Sequence, residues 1–493
     1  MDQGHIETEK LLVALERRIK KVYGDASKEM QKKADIYFAQ FVERDKKQQE
    51  LLNAGKITEE QYKQWRLAQM GRGERFIALR DDLANRMTDA NKVAVSYIND
   101  ETPGIYSLNH NYAAYTIEQV SGNVGFTLYD EQTVRRLIAE DPTLLPKRRV
   151  DAPKDLKWNK KKFTAEITSG ILLGESIGKI ANRVQNLSDA NRAGAVRNAR
   201  TAVTGAQNAG RQASYDRAKE MGLQLRKRWI ATKDMRTRHE HAMLDGQTVP
   251  LDKPFEIDGH KLMFPGDPTG IARLVWNCRC TMRTVEKEGI EAEPRQTRVR
   301  DPETGRNVVL NEMTYNEWLD WKRQETAAAQ AKADADALKF FKAKPEESLN
   351  KIVKRSTIKL ENGISCFPDA DVLNEYVKHI KPLKTYFDVA MHGTPNAVCF
   401  GGTSPNMNAR VLAAVIRHSE GYNGQNVRLI SCSTGKSVGG DYCFAEELAN
   451  ALGVNVKAPN DTLYISASGK LSVGDDGTGR IETFKPNQRR RVK

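Results

Sequence analysis

Histidine and cysteine side chains, which are zinc-binding residue types, gather at the two ends of one central stretch of the chain. His241 lies near its beginning, and Cys278 and Cys280 close it. A tetrahedral zinc site needs four ligands, and His239 or Asp245 is the candidate for the fourth. The cysteine spacing is tighter than the usual C-x-x-C, which leaves a second interpretation open. In that interpretation, buried hydrogen-bonded polar residues lock a small module together without a metal.

A second pair of reactive residue types follows two β-prone runs nearer the carboxyl terminus. Thr385–Gly393 ends at His392-Gly393, and Val427–Gly435 places Cys432 just past its apolar part. The strand–helix–strand order around them implies a parallel α/β sheet, and such sheets place their sites beyond the carboxyl ends of the strands. A Cys beside a His there could act as a nucleophile. The alternative is an inert cysteine at the end of a buried strand.

Short elements must position the ligands of the central stretch, Trp229–Cys280. Turn-forming pairs at Asp245-Gly246, Asp258-Gly259 and Pro265-Gly266 separate short apolar runs, which is typical of a β-rich module. The preceding segment, Asp189–Lys227, is rich in Ala, Asn, Gln and Arg and predicts a helix. We therefore expect a small module, entered from a helix, whose polar beginning and cysteine end can meet.

The same stretch carries a longer motif. The pattern D-x-R-T-R-x-x-H, followed by D-G, P-F and N-C-R-C, resembles the head morphogenesis proteins of tailed phages, also called MuF-like minor head proteins. The matching positions are Asp234, Arg236, Thr237, Arg238, His241, Asp245, Gly246, Pro254, Phe255, Asn277, Cys278, Arg279 and Cys280. The resemblance extends upstream through Ala199–Ala218 and Gly170–Val184.

This resemblance implies a structural protein of the virion that is made in the bacterial host cytoplasm. Such a protein would associate with the phage portal and capsid proteins during head assembly, and could act in DNA packaging or ejection. The residues that would form its structural motif are Asp234, Arg236, Arg238, Asp245, Gly246 and Asn277.

The C-terminal pair resembles the caspase-like clan of cysteine peptidases, which includes the autoprocessing domains of large bacterial toxins. Carried over from that clan, His392 is the general base or acid and Cys432 is the nucleophile. Backbone N–H groups of Gly393 and Cys432 would stabilise the oxyanion. The domain would then cleave a polypeptide, or act as a toxin effector delivered with the virion. A binding module that has lost its chemistry is the remaining alternative.

Composition indicates the cellular compartment and the partners that we expect for the protein. A chain of 493 residues is too long for one ordinary core, so several domains are expected. The formal charge of +14 suits contact with DNA, although a lysine-rich helical surface has the same sign. The cysteine spacings indicate no disulfide framework, which fits a reducing cytoplasm. The sequence contains neither a signal-peptide core nor an apolar run long enough to span a membrane.

These patterns predict a multidomain protein. A mainly α-helical arm or bundle (1–125) precedes the α+β MuF-like module (126–320), and a helical linker (321–354) leads to a caspase-like α/β domain with a parallel sheet (355–493).

The sequence also predicts four local features. A capping box, Thr58–Gln61, opens a helix. Residues 126–165 are irregular and basic. Gly170, Gly174 and Gly178 share one helix face, and a hairpin turns around Gly477.

Overall fold

A computed structural model gives the fold of the protein. It describes residues 2–71, 73–122, 124–173, 175–286, 297–300, 307–310, 313–437, 443–475 and 477–486. Within these ranges, no helix combines the length and the apolar character that crossing a membrane would require.

The elements fall into a helical half, a small central sheet and a C-terminal sheet. The helices are α1 (Gln3–Asn53), α2 (Glu59–Gly71), α3 (Glu74–Ser121), α4 (Glu131–Glu140), α5 (Ala152–Leu172), α6 (Ile177–Glu220), α7 (His239–Leu244), α8 (Ala272–Val275), α9 (Tyr315–Phe340), α10 (Leu349–Ser356), α11 (Leu373–Val377), α12 (Ala409–Arg417) and α13 (Phe444–Leu452). The strands are β1 (Leu225–Ile230), β2 (Thr248–Pro250), β3 (Phe255–Ile257), β4 (His260–Leu262), β5 (Thr281–Glu286), β6 (Thr297–Arg300), β7 (Asn307–Leu310), β8 (Ile358–Leu360), β9 (Gly363–Ser365), β10 (Tyr386–Ala390), β11 (His392–Gly393), β12 (Val398–Cys399), β13 (Asn426–Ile430), β14 (Val456–Pro459), β15 (Leu463–Ile465), β16 (Leu471–Val473) and β17 (Ile481–Phe484).

Three long helices, α1, α3 and α6, pack against one another in the helical half. Their buried residues recur at helical spacing, as Leu12, Leu15 and Ile19 do in α1, so each helix turns an apolar stripe toward its neighbours. Gly210 lets α6 approach α3 closely, because a Cβ at this position would overlap the Tyr106 carbonyl oxygen. The apolar core continues across residue 125 from α3 to α6. The predicted boundary between 1–125 and 126–320 therefore lies within one core, and it stays a prediction as a domain boundary.

The capping box at α2 is confirmed. The Gln61 side chain accepts a hydrogen bond from Thr58 N at 2.8 Å, and Thr58 Oγ1 accepts one from Gln61 N at 3.1 Å. The irregular segment predicted at 126–165 is wrong, since α4 and part of α5 occupy it. The carboxylates of Asp130 and Asp151 cap these two helices at their amino ends, a signal that the density of basic residues obscured.

Two further predictions about helices are wrong. Gly170 and Gly178 do not share a helix face, because α5 ends at Leu172 and α6 begins at Ile177; Gly174 lies outside the described residues. The helix predicted to reach Lys227 ends at Glu220. Gly222 has a φ of 84°, a left-handed conformation that stops a helix and lets the chain turn into β1.

The central module is a three-stranded antiparallel sheet, in the order β2-β1-β5, with the β3–β4 hairpin beside it. Trp229 on β1 pairs with Met282 on β5, and both are fully buried. The sheet lies against α6, whose Arg211 donates to the Met282 carbonyl oxygen at 2.7 Å. The predicted β-rich module entered from a helix is therefore present.

The C-terminal region has a six-stranded sheet in the order β17-β14-β13-β10-β9-β8. The four inner strands are parallel, whereas β17 and β8 are antiparallel to their neighbours, so the sheet is mixed rather than purely parallel. Every residue of β10 and β13 is buried, as expected for strands covered on both faces. The buried pair Asp388–Arg428 joins them, with Nη2 to Oδ2 at 2.6 Å.

The hairpin predicted around Gly477 is wrong. The turn lies instead between β15 and β16, where Gly469 has a φ of 76°. The segment after Gly477 forms β17 and pairs with β14 at the edge of the main sheet. Both glycines permit a tight turn, and pairing with an edge strand distant in sequence decided between them.

Candidate functional site

The central module brings three ligand atoms of zinc-binding type together. His241 lies on the short helix α7, and Cys278 and Cys280 lie in the loop that leads into β5. All three residues are buried, and their ligand atoms lie within 4.8 Å of one another. His241 Nδ1 is 3.6 Å from Cys278 Sγ and 3.4 Å from Cys280 Sγ. The histidine and the two cysteines, 37 and 39 residues apart along the chain, thus form one cluster.

The imidazole of His241 is oriented by its other nitrogen. Nε2 lies 2.9 Å from the Leu274 carbonyl oxygen. A carbonyl can only accept, so Nε2 carries the proton and the Nδ1 lone pair faces the two sulfurs. Protein metal sites commonly fix a histidine ligand in this way.

The spacing of the cluster fits a tetrahedral zinc ion. Zn–N bonds of about 2.05 Å and Zn–S bonds of about 2.3 Å place nitrogen and sulfur about 3.5 Å apart at the tetrahedral angle. The two observed nitrogen–sulfur distances, 3.4 and 3.6 Å, lie on either side of that value.

The two cysteine thiols interact with each other electrostatically. The hydrogen bond with Cys278, together with that from His241, lowers the pKa of Cys280 to about 5. The same bond to Cys280, followed by burial, raises the pKa of Cys278. Cys280 is therefore the more readily ionised thiol of the pair. A metal ion requires thiolate ligands and would displace the thiol protons.

The candidates for a fourth protein ligand lie elsewhere. His239 is exposed at the first position of α7. Asp245 accepts from Ala231 N at 2.9 Å and pairs with Lys233 at 3.2 Å. The cluster around His241 includes neither of them, so the structure brings together three of the predicted ligand candidates.

The polar beginning and the cysteine end of the module meet, as expected. Arg279 donates to both carboxylate oxygens of Asp234, at 2.5 and 2.7 Å. This bond is the main cause that holds the pKa of Asp234 far below its usual range. Thr232 Oγ1 adds a hydrogen bond of 2.8 Å to the Arg279 carbonyl oxygen. We call the Asp234–Arg279 pair the clasp.

The remaining motif residues lie around the clasp. Arg236 is exposed, with its guanidinium 3.7 Å from Asp234, and Arg238 donates to the Trp276 carbonyl oxygen. Gly246 and Asn277 have φ values of 83° and 55°. Gly and Asn are residue types that tolerate this left-handed conformation, so both permit tight turns.

Sequence reasoning missed the contribution of α6 to this site. Asn208 Nδ2 donates to the carbonyl oxygen of Cys280 at 3.1 Å, and Thr204 Oγ1 donates to that of Cys278 at 2.6 Å. Arg211, which could have served a partner, is buried and pairs with Asp2 at 2.7 Å. Asn, Thr and Arg within an alanine-rich helix were the available signal, because polar residues on a buried face need partners.

The C-terminal pair lies beyond the carboxyl ends of adjacent parallel strands. His392 follows β10, Cys432 follows β13, and these strands are paired. Gly393 lies against the Ser431–Thr434 turn, where an added Cβ would come within 3.1 Å of the Cys432 carbonyl oxygen. The structure therefore brings the two segments together.

The two side chains have separate partners. His392 Nε2 is 2.8 Å from Asp371 Oδ2, and Cys432 Sγ accepts from Leu463 N at 3.4 Å. Among the hydrogen bonds of the described residues, none joins His392 to Cys432. Asp371, in the turn before α11, was not identified from the sequence and lacks a motif there. The catalytic roles of His392 and Cys432 stay predictions.

The central module matches a known protein family. Residues 161–283 match the family Phage Mu protein F like protein. This segment contains α6, β1 and all three members of the His241 cluster. Residues 363–473 match a second family, Domain of unknown function (DUF8616). No solved structure matches the chain.

Two relatives extend the comparison. Minor head protein GP7 of Bacillus phage SPP1 is 29% identical over 240 residues, which are 47% of this chain and 74% of GP7. The NAD(+)–arginine ADP-ribosyltransferase EFV of Enterococcus faecalis is 36% identical over 156 residues, which are 31% of this chain and 30% of EFV. The family match and GP7 thus both show similarity to phage head proteins, and the family match covers the central module. The caspase-like resemblance has no counterpart among these matches.

Proposed function

We propose that this protein acts in phage head assembly at the portal and inner capsid, and that it is carried in the virion. The clasp is the observation that favours this role. It joins the start of the central module to its end, and Asn208 of α6 donates a hydrogen bond to the same loop. A module fixed at both ends is rigid enough to serve as a docking element between shell proteins. Similarity to minor head protein GP7 supports the same role.

Contact with DNA during packaging or ejection is the finer part of this proposal. The formal charge of +14 supports it, since a basic surface attracts a polyanion. Synthesis in the host cytoplasm belongs to the same proposal.

Co-sedimentation tests the assembly role. The full chain is expressed together with the portal and capsid proteins of the same phage, and heads are separated on a gradient. We expect the protein in the head fraction. Asp234→Asn opens the clasp and should reduce incorporation, whereas Glu240→Gln, which removes the exposed pair with Arg273, should not. A wild-type protein that stays at the top of the gradient contradicts the proposal.

We also propose that His241, Cys278 and Cys280 hold a zinc ion. The ion would stabilise the module by linking α7 to the loop before β5. Metal analysis of the purified full chain should give about one zinc per molecule. Cys280→Ser should lose it, and Cys443→Ser in the C-terminal region should retain it. A wild-type protein without stoichiometric zinc rules the ion out and leaves the polar interpretation of the module.

A cysteine peptidase in the C-terminal domain is a second candidate function. The placement of His392 and Cys432 beyond adjacent strand ends favours it. With Nε2–H donated to Asp371, the Nδ1 lone pair is free to accept the Cys432 proton. The thiolate would then attack a peptide carbonyl, and the imidazolium would return the proton to the leaving amine.

Thiol labelling tests this candidate. A thiol-reactive peptide probe should label the wild-type chain, and Cys432→Ala should abolish both labelling and any self-cleavage. Cys399→Ala is the matched control and should be labelled like the wild type, because the neighbouring Cys399 thiol is buried away from the probe. A chain that stays intact and unlabelled in every condition contradicts peptidase activity.

A further inference from the structure

The His241 cluster offers three protein ligands, and a tetrahedral ion has a fourth position. His239 and Asp245 do not reach the cluster. A site with three protein ligands keeps its fourth position for a ligand from outside. What lies beside the cluster therefore decides which ligand can enter.

A cavity of about 70 Å³ adjoins the cluster and contains His241, Cys278 and Cys280 in its wall. One water molecule needs roughly 10–15 Å³ of such space, so the cavity has room for several waters or for a small oxyanion group. A carboxylate or a phosphate group of a larger ligand fits within it.

The other walls of the cavity are strongly basic. Arg200, Arg236, Arg238 and Arg279 all line it. Glu16 neutralises Arg200, and Asp234 neutralises Arg279. Within the described residues, Arg238 has no carboxylate partner and donates only to a backbone carbonyl. An ion held by two thiolates and a neutral imidazole adds no net charge, so the cavity retains a positive surplus that an anion would neutralise.

A buried donor in the same wall also lacks a partner. Arg200 Nε is shielded from solvent and donates no hydrogen bond in the described structure. A buried N–H without an acceptor is unfavourable. Because Arg200 also lines the cavity, an oxyanion there that reached Nε would satisfy it.

Exposed apolar residues next to the cavity wall in sequence indicate where that oxyanion comes from. Met235, Met243 and Trp276 are exposed at 104%, 62% and 66%, and each is close in sequence to a residue of the cavity wall. Met, Trp and Arg are enriched where proteins bind proteins. Binding to DNA relies instead on Lys, Arg and polar contacts to phosphates. These exposed residues therefore favour a carboxylate from a protein partner.

We propose that the fourth ligand of this centre is a carboxylate of a partner protein, which Arg238 binds as it enters the cavity. This proposal rests on the zinc ion proposed above, and it identifies the chemistry through which the module contacts its partner.

Cobalt substitution tests the proposal on the full chain. Co²⁺ bound through Cys278 and Cys280 gives a thiolate charge-transfer band, and its visible bands respond to the fourth ligand. Acetate, the carboxylate probe, should change the visible bands in a saturable way. Arg238→Gln should raise the acetate concentration needed by about ten-fold or more, because it removes a charge-assisted hydrogen bond. Arg273→Gln, an exposed arginine of the same module outside the cavity wall, should leave that concentration unchanged.

Each of the other outcomes contradicts a specific part of the proposal. If cobalt gives no thiolate band, both the metal centre and the carboxylate site are wrong, while the head-assembly role is unaffected. If the band forms and acetate has no effect, the fourth position is already filled. If a single-stranded oligonucleotide changes the bands and acetate does not, the ligand is a phosphate. If acetate binds but Arg238→Gln co-sediments normally with portal and capsid proteins, the carboxylate is not the partner's.

Discussion

Replacing Lys227 by methionine tests how the central module is joined to α6. Lys227 lies on β1 and is fully buried. Its ammonium donates to Gln212 Oε1 and to the Met263 carbonyl oxygen, each at 2.8 Å. Burial lowers the pKa of Lys227 from 10.5 to about 8, although nearby carboxylates including Asp216 oppose the change. Folding at neutral pH therefore has to bury a charged lysine.

The size of this cost follows from the two pKa values. Below pH 8 the lysine is protonated in the folded and unfolded states alike, and the full cost applies. The gap between 8 and 10.5 corresponds to about 3 kcal/mol at 1.36 kcal/mol per pKa unit. Between pH 8 and 10.5 the folded protein loses the proton first, so the cost fades. The free energy of unfolding of the wild type, relative to Lys227→Met, should rise by about 2–3 kcal/mol from pH 7 to pH 10.

Urea unfolding followed by tryptophan fluorescence measures this difference, since Trp229 lies on the same strand. Methionine also removes two hydrogen bonds, but their loss is independent of pH in this range and shifts all values equally. Tyrosines and cysteines titrate in both proteins and cancel in the difference. A difference that is constant within about 0.5 kcal/mol from pH 7 to pH 10 would refute the reasoning.

Two further predictions concern how the helices are held together, and both are read from urea unfolding. Glu118→Gln should lower the free energy of unfolding by about 3–5 kcal/mol, because it removes the buried negative charge 3.0 Å from the buried Lys322 ammonium. Glu325→Gln, an exposed partner 4.0 Å from the same lysine, should cost less than about 1 kcal/mol; equal effects would contradict the argument. Gly210→Ala should cost about 1–3 kcal/mol through overlap with α3, whereas Gly178→Ala, which meets open space, should be neutral or slightly stabilising.

Sequence patterns predicted the features that depend only on residues close together in the chain. The strands before His392 and Cys432 were predictable because continuous apolar runs of this length suit a doubly covered sheet. The capping box at Thr58–Gln61 was predictable because both of its hydrogen bonds join residues three apart in the chain. The beginnings of α4 and α5 were missed, although Asp130 and Asp151 are ordinary capping residues. The many lysines and arginines of residues 126–165 favoured an irregular segment instead.

Long-range pairing could not be predicted in the same way. The Gly469 and Gly477 turns are alike in sequence, and only the pairing of β17 with β14 distinguishes them. Asp371 reaches His392 from a different turn, 21 residues away. The free energy of such contacts depends on which backbone segments the fold brings together, which residue spacing does not encode.

The sequence by itself determined the residue types available for chemistry: a histidine and two cysteines at the ends of one module, and a second histidine and cysteine after two buried strands. It also carried a motif that resembles that of phage head proteins. The tertiary structure decided which of these side chains meet. It brought His241 to both sulfurs, left His239 and Asp245 apart from them, and opened the remaining side of the cluster to an arginine-lined cavity. Ligand geometry is set within tenths of an ångström by packing against α6 and β5, and one-dimensional spacing cannot specify distances that short.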